Sequence, residues 1–176
     1  MVEKADPALL SAAAECALLC KHTYLFNSAP PPEGWRVVFS SNDLPRSKTG
    51  FFGAVYAQKD PAGGPDRHVI AMSGLNDRAD LSSIFAVYAR RLPPQHDDGI
   101  AFIKTACEKL GLDIKDVELT GHSLGGYLSR TVGRSLPVKK VWSFSSPGPA
   151  RQVHRALEKA FPHLSSADRF VHVRSP

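Results

Sequence analysis

The sequence predicts one α/β domain with a mainly parallel sheet and helices on both faces. Three observations carry this expectation. Short apolar runs alternate with helical patterns from His68 to the end of the chain, the pattern that β–α–β crossovers produce. A length of 176 residues suffices for a real core and fits one domain. The composition, 43% hydrophobic and 22% charged, is that of an ordinary globular protein, without repeats, low-complexity tracts or an evident linker. The whole chain, 1–176, is therefore read as a single domain.

Taken in order, Asp6 is an N-cap and Pro7 a first helical residue for an apolar helix reaching Cys20. NSAPPPEG (27–34) then breaks regular structure, because its prolines donate no backbone bond. WRVVFS (35–40) and FFGAVYAQ (51–58) are strands; the turn chemistry of DPAGGPD pairs the second with HVIAMS (68–73) as a hairpin. Helices follow at 80–92, stopped by Pro93 and Pro94, and at 97–110, stopped by Gly111. Residues 117–120 form a strand, 124–135 a helix ended by Pro137, and 138–143 a strand. A helix at 150–160 and a strand at 169–174 complete the chain.

One junction stands apart. In VELTGHSLGG (117–126), Ser123 sits where a strand turns into a helix, at the carboxyl edge where parallel sheets collect ligands. A sharp turn there exposes the apical side chain and crowds the residues two before and two after it. Gly121 and Gly125 remove the Cβ atoms that would collide. The N–H of Leu124 then heads a helix, positioned for an oxyanion. The three-residue pattern alone arises by chance in about one protein of this length in twenty; the strand before it and the helix after it carry the weight. Ser123 is thus a candidate nucleophile in an elbow made by Gly121, His122 and Gly125. The alternative is a structural Gly-Ser-Gly turn. His122 is expected to pack rather than react.

These residues resemble the class 3 lipases, a branch of the α/β-hydrolase superfamily. Residues 117–126 match that family's apolar strand and G-H-S-L-G-G signature. SFSSPGPAR (143–151) resembles its F-G-S-P-x-x-G segment, and HDDGIAFIKTA (96–106) its H-x-G-F helix start with one residue extra. GFFGAVYAQKD and HVIAMSGLND resemble the strand pair leading to its F-R-G-T oxyanion loop, and RFVHVRSP (169–176) the strand preceding its catalytic aspartate. The likeness spans about residues 8–176 and is loose away from the elbow. It implies an α/β-hydrolase fold and a lipase or esterase that needs no metal or cofactor. Oxyanion N–H groups would come from Leu124 and Leu75. Two departures stand out: Ser73 replaces the family's arginine, and Leu75 its threonine or serine. Asn76 either compensates or simply forms a turn before Asp77. Arg78 to Pro94, where the family carries its lid, reads first as a crossover helix and second as an amphipathic cover.

A serine nucleophile needs a histidine base and a carboxylate that orients it, in the order Ser, acid, His on this fold. After Ser123 the acids are Glu158 and Asp168 and the histidines His154, His163 and His172. Asp168 precedes the last strand and Glu158 lies near the end of the helix feeding it. Both fall at the amino edge of the sheet, about 20 Å from Ser123 along a six-residue strand. His172 is mid-strand. None suits the triad, so the acid and base are expected past Pro176, in a longer hydrolase of which this chain is the N-terminal portion and which is C-terminally incomplete here. The second reading is a member without the triad, a catalytically inactive scaffold binding an acyl ligand or a protein partner.

The formal charge of +5 is scattered and accompanied by no nucleic-acid motif, which sets aside nucleic-acid binding. Weak peripheral contact with an anionic lipid surface stays open. No apolar run reaches the ~20 residues of a membrane helix. The charged start MVEKADPALL is unlike a secretory signal, so a cytoplasmic location is expected, with leaderless export left open. Cys16, Cys20 and Cys107 form neither a metal nor a disulfide framework and are expected to be buried thiols.

Overall fold

The computed structural model describes residues 6–74, 91–164 and 166–173. Helix α1 (Pro7–Tyr24) leads into strands β1 (Trp35–Ser40), β2 (Gly53–Gln58) and β3 (Arg67–Met72). Helix α2 (Gln95–Leu110), β4 (Val117–His122), α3 (Leu124–Ser135), β5 (Lys140–Phe144), α4 (Arg151–Ala160) and β6 (Phe170–Val173) follow. The six strands form one sheet in sequential order, β1 to β6. The architecture is α/β, as expected, but the sheet is mixed. β1–β2 and β2–β3 pair antiparallel, whereas β3–β4, β4–β5 and β5–β6 pair parallel. The antiparallel strands are joined by the loop 59–66 and the longer connection 41–52; the parallel part needs helical crossovers.

Side chains alternate across the strands and divide the core in two. Val55, Ile70, Leu119 and Val141 face α2 and α3, packing on Phe102, Ile103, Leu128 and Val132. Tyr56, Ala71 and Trp142 face the other way, onto Cys16 and Leu19 of α1. Helices therefore cover both faces.

Element ends follow local chemistry. Asp6 caps α1, its carboxylate accepting from the Ala8 N–H at 3.0 Å, and Gly111 ends α2 in a left-handed conformation, φ 66°. Differences from expectation are small and have causes. α1 runs on to Tyr24 because His22 and Thr23 are buried and satisfied: Tyr56 and the Ala29 carbonyl engage His22 at 2.7 and 3.0 Å. β2 starts at Gly53, since Phe51 turns into the core. α2 starts at Gln95, and buried His96 bonds Thr131 of α3 at 3.1 Å. β4 extends to His122. The expected helix at 80–92 lies outside the described residues except for its last two. Cys16, Cys20 and Cys107 are free and buried, and burial pushes the Cys20 thiol up to about 12. No helix among the described residues is long and apolar enough to cross a membrane.

Candidate functional site

β3, β4 and β5 end side by side at the edge where β4 gives way to α3. Met72 pairs with Gly121 and Gly121 with Ser143. The chain reverses at Ser123, whose φ of 59° and ψ of −124° lie where a side-chain-bearing residue is strained by about 1–3 kcal/mol. Neighbours hold that geometry. The Ser123 N–H donates to the Phe144 carbonyl at 3.0 Å, and the Ser123 carbonyl accepts from the Tyr127 N–H at 3.1 Å.

The flanking glycines are steric necessities. A Cβ on Gly121 would lie 2.2 Å from the backbone of Gly125, and one on Gly125 would lie 2.1 Å from the Met72 carbonyl oxygen. The first turn of α3 is thus pressed against the ends of both β3 and β4. Gly126 extends the close fit to the β5–α4 loop, where an added Cβ would meet the Cβ of Ser146 at 2.6 Å. Leu124 buries its side chain in the core, while its N–H heads α3 among donors that lack a helical acceptor. A half-exposed hydroxyl at Ser123 over the amino end of a helix is an arrangement suited to nucleophilic attack with stabilisation of a developing anion.

His122 is exposed, and its ring packs edge-on against that of Tyr24, with centroids 6.1 Å apart. Its Nδ1 lies 3.3 Å from the hydroxyl of Tyr24, which also donates to the His122 carbonyl at 3.5 Å. Tyr24 approaches Gly74 as well, where an added Cβ would lie 2.4 Å from the phenol oxygen. Burial raises the Tyr24 pKa above 10, so the phenol keeps its proton at neutral pH. Tyr24 ties the end of α1 to both β3 and the elbow. Sequence reasoning missed it, because 98 residues separate it from His122 and no motif marks it.

The remaining histidines lie elsewhere. His22 and His96 are buried in the packing described above. His68 pairs with Val117 at the opposite edge of the sheet. His154 is tied to Arg134 and Glu158 on α4, and His163 lies in a short turn after α4. His172 contacts Ser143 at 3.0 Å. Asp168 occupies the turn before β6, at the amino edge. Glu118 is buried near the start of β4 and bonded to Arg67 at 2.9 Å and Trp142 at 2.6 Å. No imidazole or carboxylate among the described residues hydrogen-bonds Ser123. Leu75 and Asn76 lie outside the described residues, as does the 78–94 stretch up to residue 90. The described residues contain no group of three or more His, Cys, Asp or Glu able to hold a metal.

No family model matches the chain, and no curated protein matches it. Among solved structures it is similar to the extracellular lipase LipA from Serratia marcescens, at 18% identity and a TM-score of 0.45. That alignment covers 80% of this chain and 27% of the lipase.

Proposed function

We propose that the protein is a serine hydrolase of lipase or esterase type, acting on carboxylic esters. The observation that carries this reading is Ser123 itself. It takes a strained backbone conformation at a strand-to-helix turn whose flanking glycines admit no side chain. Strain of this kind persists where function uses it. The Ser123 hydroxyl attacks the ester carbonyl, giving a tetrahedral oxyanion that accepts from the N–H groups of Leu124 and Leu75. Collapse expels the alcohol and leaves an acyl-enzyme, which water hydrolyses to the carboxylic acid and free Ser123. A histidine takes the hydroxyl proton and returns it to the leaving alcohol, with a carboxylate holding that histidine. No described histidine or carboxylate hydrogen-bonds Ser123, so neither role is assigned to a residue here. The reaction draws on no metal or cofactor.

One observation favours a second reading: among the described residues, no imidazole hydrogen-bonds Ser123. On that reading the elbow is an inherited shape and the chain a binding scaffold. Labelling with a fluorophosphonate separates the two. Ser123 is expected to be modified, located by mass spectrometry, with labelling lost in Ser123→Ala. Labelling is expected to be ~10³-fold or more faster in a form extended past Pro176 that carries the acid and base. A folded, extended protein that takes no label would establish the scaffold.

A further inference from the structure

A cleft of about 670 Å³ opens between α2 and residues 41–52, the connection from β1 to β2. Its size falls within the ~300–1,000 Å³ of small-molecule sites. It lies on the same sheet edge as the elbow, because β1 and β3 both run toward the edge where β4 ends. A short backbone path joins the two. Phe52 lines the cleft, its carbonyl accepts from the Ser73 N–H at 3.0 Å, and Gly125 presses on Met72 and Ser73.

The walls are fixed. The Ser41 hydroxyl accepts from the Gly53 N–H at 2.9 Å and donates to the Gly53 carbonyl at 3.1 Å. Ser47 and Thr49 both donate to the Asp98 carboxylate, the former at 2.6 Å. Apolar side chains of Leu44, Phe51 and Phe102 form the floor, with the two rings 5.6 Å apart.

The rim carries two opposed charges, Arg46 and Asp98. Asp98 already accepts those two hydroxyl bonds. Arg46 is exposed and forms no ion pair among the described residues. A guanidinium presents paired N–H donors matched to a carboxylate. Arg46 thus suits an anion, while the Asp98 carboxylate is already engaged by the Ser47 and Thr49 hydroxyls.

We propose that this cleft binds a long-chain carboxylic acid, with the hydrocarbon on the Leu44, Phe51 and Phe102 floor and the carboxylate on Arg46. Binding itself does not require Ser123. Its place in a reaction, as the seat of the acid released by ester hydrolysis, rests on the hydrolase reading above.

The test is fluorescence titration with cis-parinaric acid below its critical micelle concentration, with its methyl ester as the uncharged control. Wild-type protein and Ser123→Ala are expected to bind the acid saturably and equally. In the Ser123→Ala background, where no hydrolysis interferes, the methyl ester is expected to bind about tenfold more weakly. Arg46→Gln is expected to lower affinity for the acid about tenfold and leave the ester unchanged. Ala101→Trp, at an exposed position of α2 that lines the cleft, is expected to abolish binding of both. Absence of saturable binding, wild-type affinity in Arg46→Gln, or undiminished binding in Ala101→Trp would each overturn the proposal. Acid binding without fluorophosphonate labelling removes the hydrolase reading and leaves the cleft standing; labelling without acid binding removes only the cleft.

Discussion

Ser123 concentrates a local conflict between sequence and backbone. Its φ of 59° is one that glycine adopts freely and a side chain resists. Stability alone would place glycine there, and Ser123→Gly tests how much strain the turn stores. Relief of roughly 1–3 kcal/mol is opposed by the extra chain entropy of glycine, about 0.5–1 kcal/mol. The variant is expected to be more stable by about 1 kcal/mol, raising Tm by roughly 2–4 °C at this chain length, while losing any labelling at this position. A lower Tm would mean that the serine side chain stabilises the turn and that the strain account is wrong. The elbow was legible in the sequence because its determinants, Gly121, Ser123 and Gly125, are local. Tyr24 was not, since what brings it to His122 is the packing of α1 across the sheet.

At the scale of elements, the amino end of the parallel strands is held by charge. Arg67 on β3 donates to Glu118 on β4 through two nitrogens, at 2.9 and 3.1 Å, and to Glu15 on α1 at 2.6 Å. The Trp142 indole on β5 donates to Glu118 at 2.6 Å. Burial pushes the Glu118 carboxyl up, but the bonds and charge of Arg67, with the indole, outweigh it and hold the pKa below its ordinary 4.5. A carboxylate whose folded pKa is depressed contributes stability above its unfolded value. That contribution is lost as pH falls below 4.5 and through the lowered folded value. Glu118→Gln is therefore expected to cost about 3 kcal/mol at pH 7, with a gap to wild type that narrows toward pH 3. Urea titrations of both proteins at the two pH values would measure it, and a gap unchanged by pH would assign the loss to packing. Most element boundaries were legible from caps and turn residues such as Asp6, Pro7 and Gly111. The extension of α1 to Tyr24 was hidden because His22 and Thr23 look like surface residues until Tyr56 and Ala29 supply their partners. The antiparallel half of the sheet was legible only as the β2–β3 hairpin. That β1 joins it follows from a pairing across a long connection, which alternation alone cannot specify.

At the scale of the molecule, the elbow depends on both halves of the core at once. α3 presses on β3 and β4 from one face, while α1 reaches the same edge through Tyr24 from the other. The strands between them are shared, since neighbouring residues such as Ile70 and Ala71 or Val141 and Trp142 belong to opposite clusters. Neither layer of helices can leave without exposing apolar strand residues that the other layer cannot cover. Unfolding is therefore expected to be one cooperative transition, although the chain is somewhat longer than the usual range of two-state domains. The distribution of tryptophan makes this measurable. The chain contains two tryptophans, and both Trp35 and Trp142 lie in the cluster beneath α1, so their fluorescence reports that face alone. Far-ultraviolet circular dichroism reports α2 and α3 as well. Coincident urea curves from the two signals are expected. An earlier fluorescence transition would mean that α1 detaches first, and Tyr24 would then leave the elbow while α3 and its glycines still held Ser123 in place. Under those conditions the rate of fluorophosphonate labelling would separate what the turn itself supplies from what α1 adds.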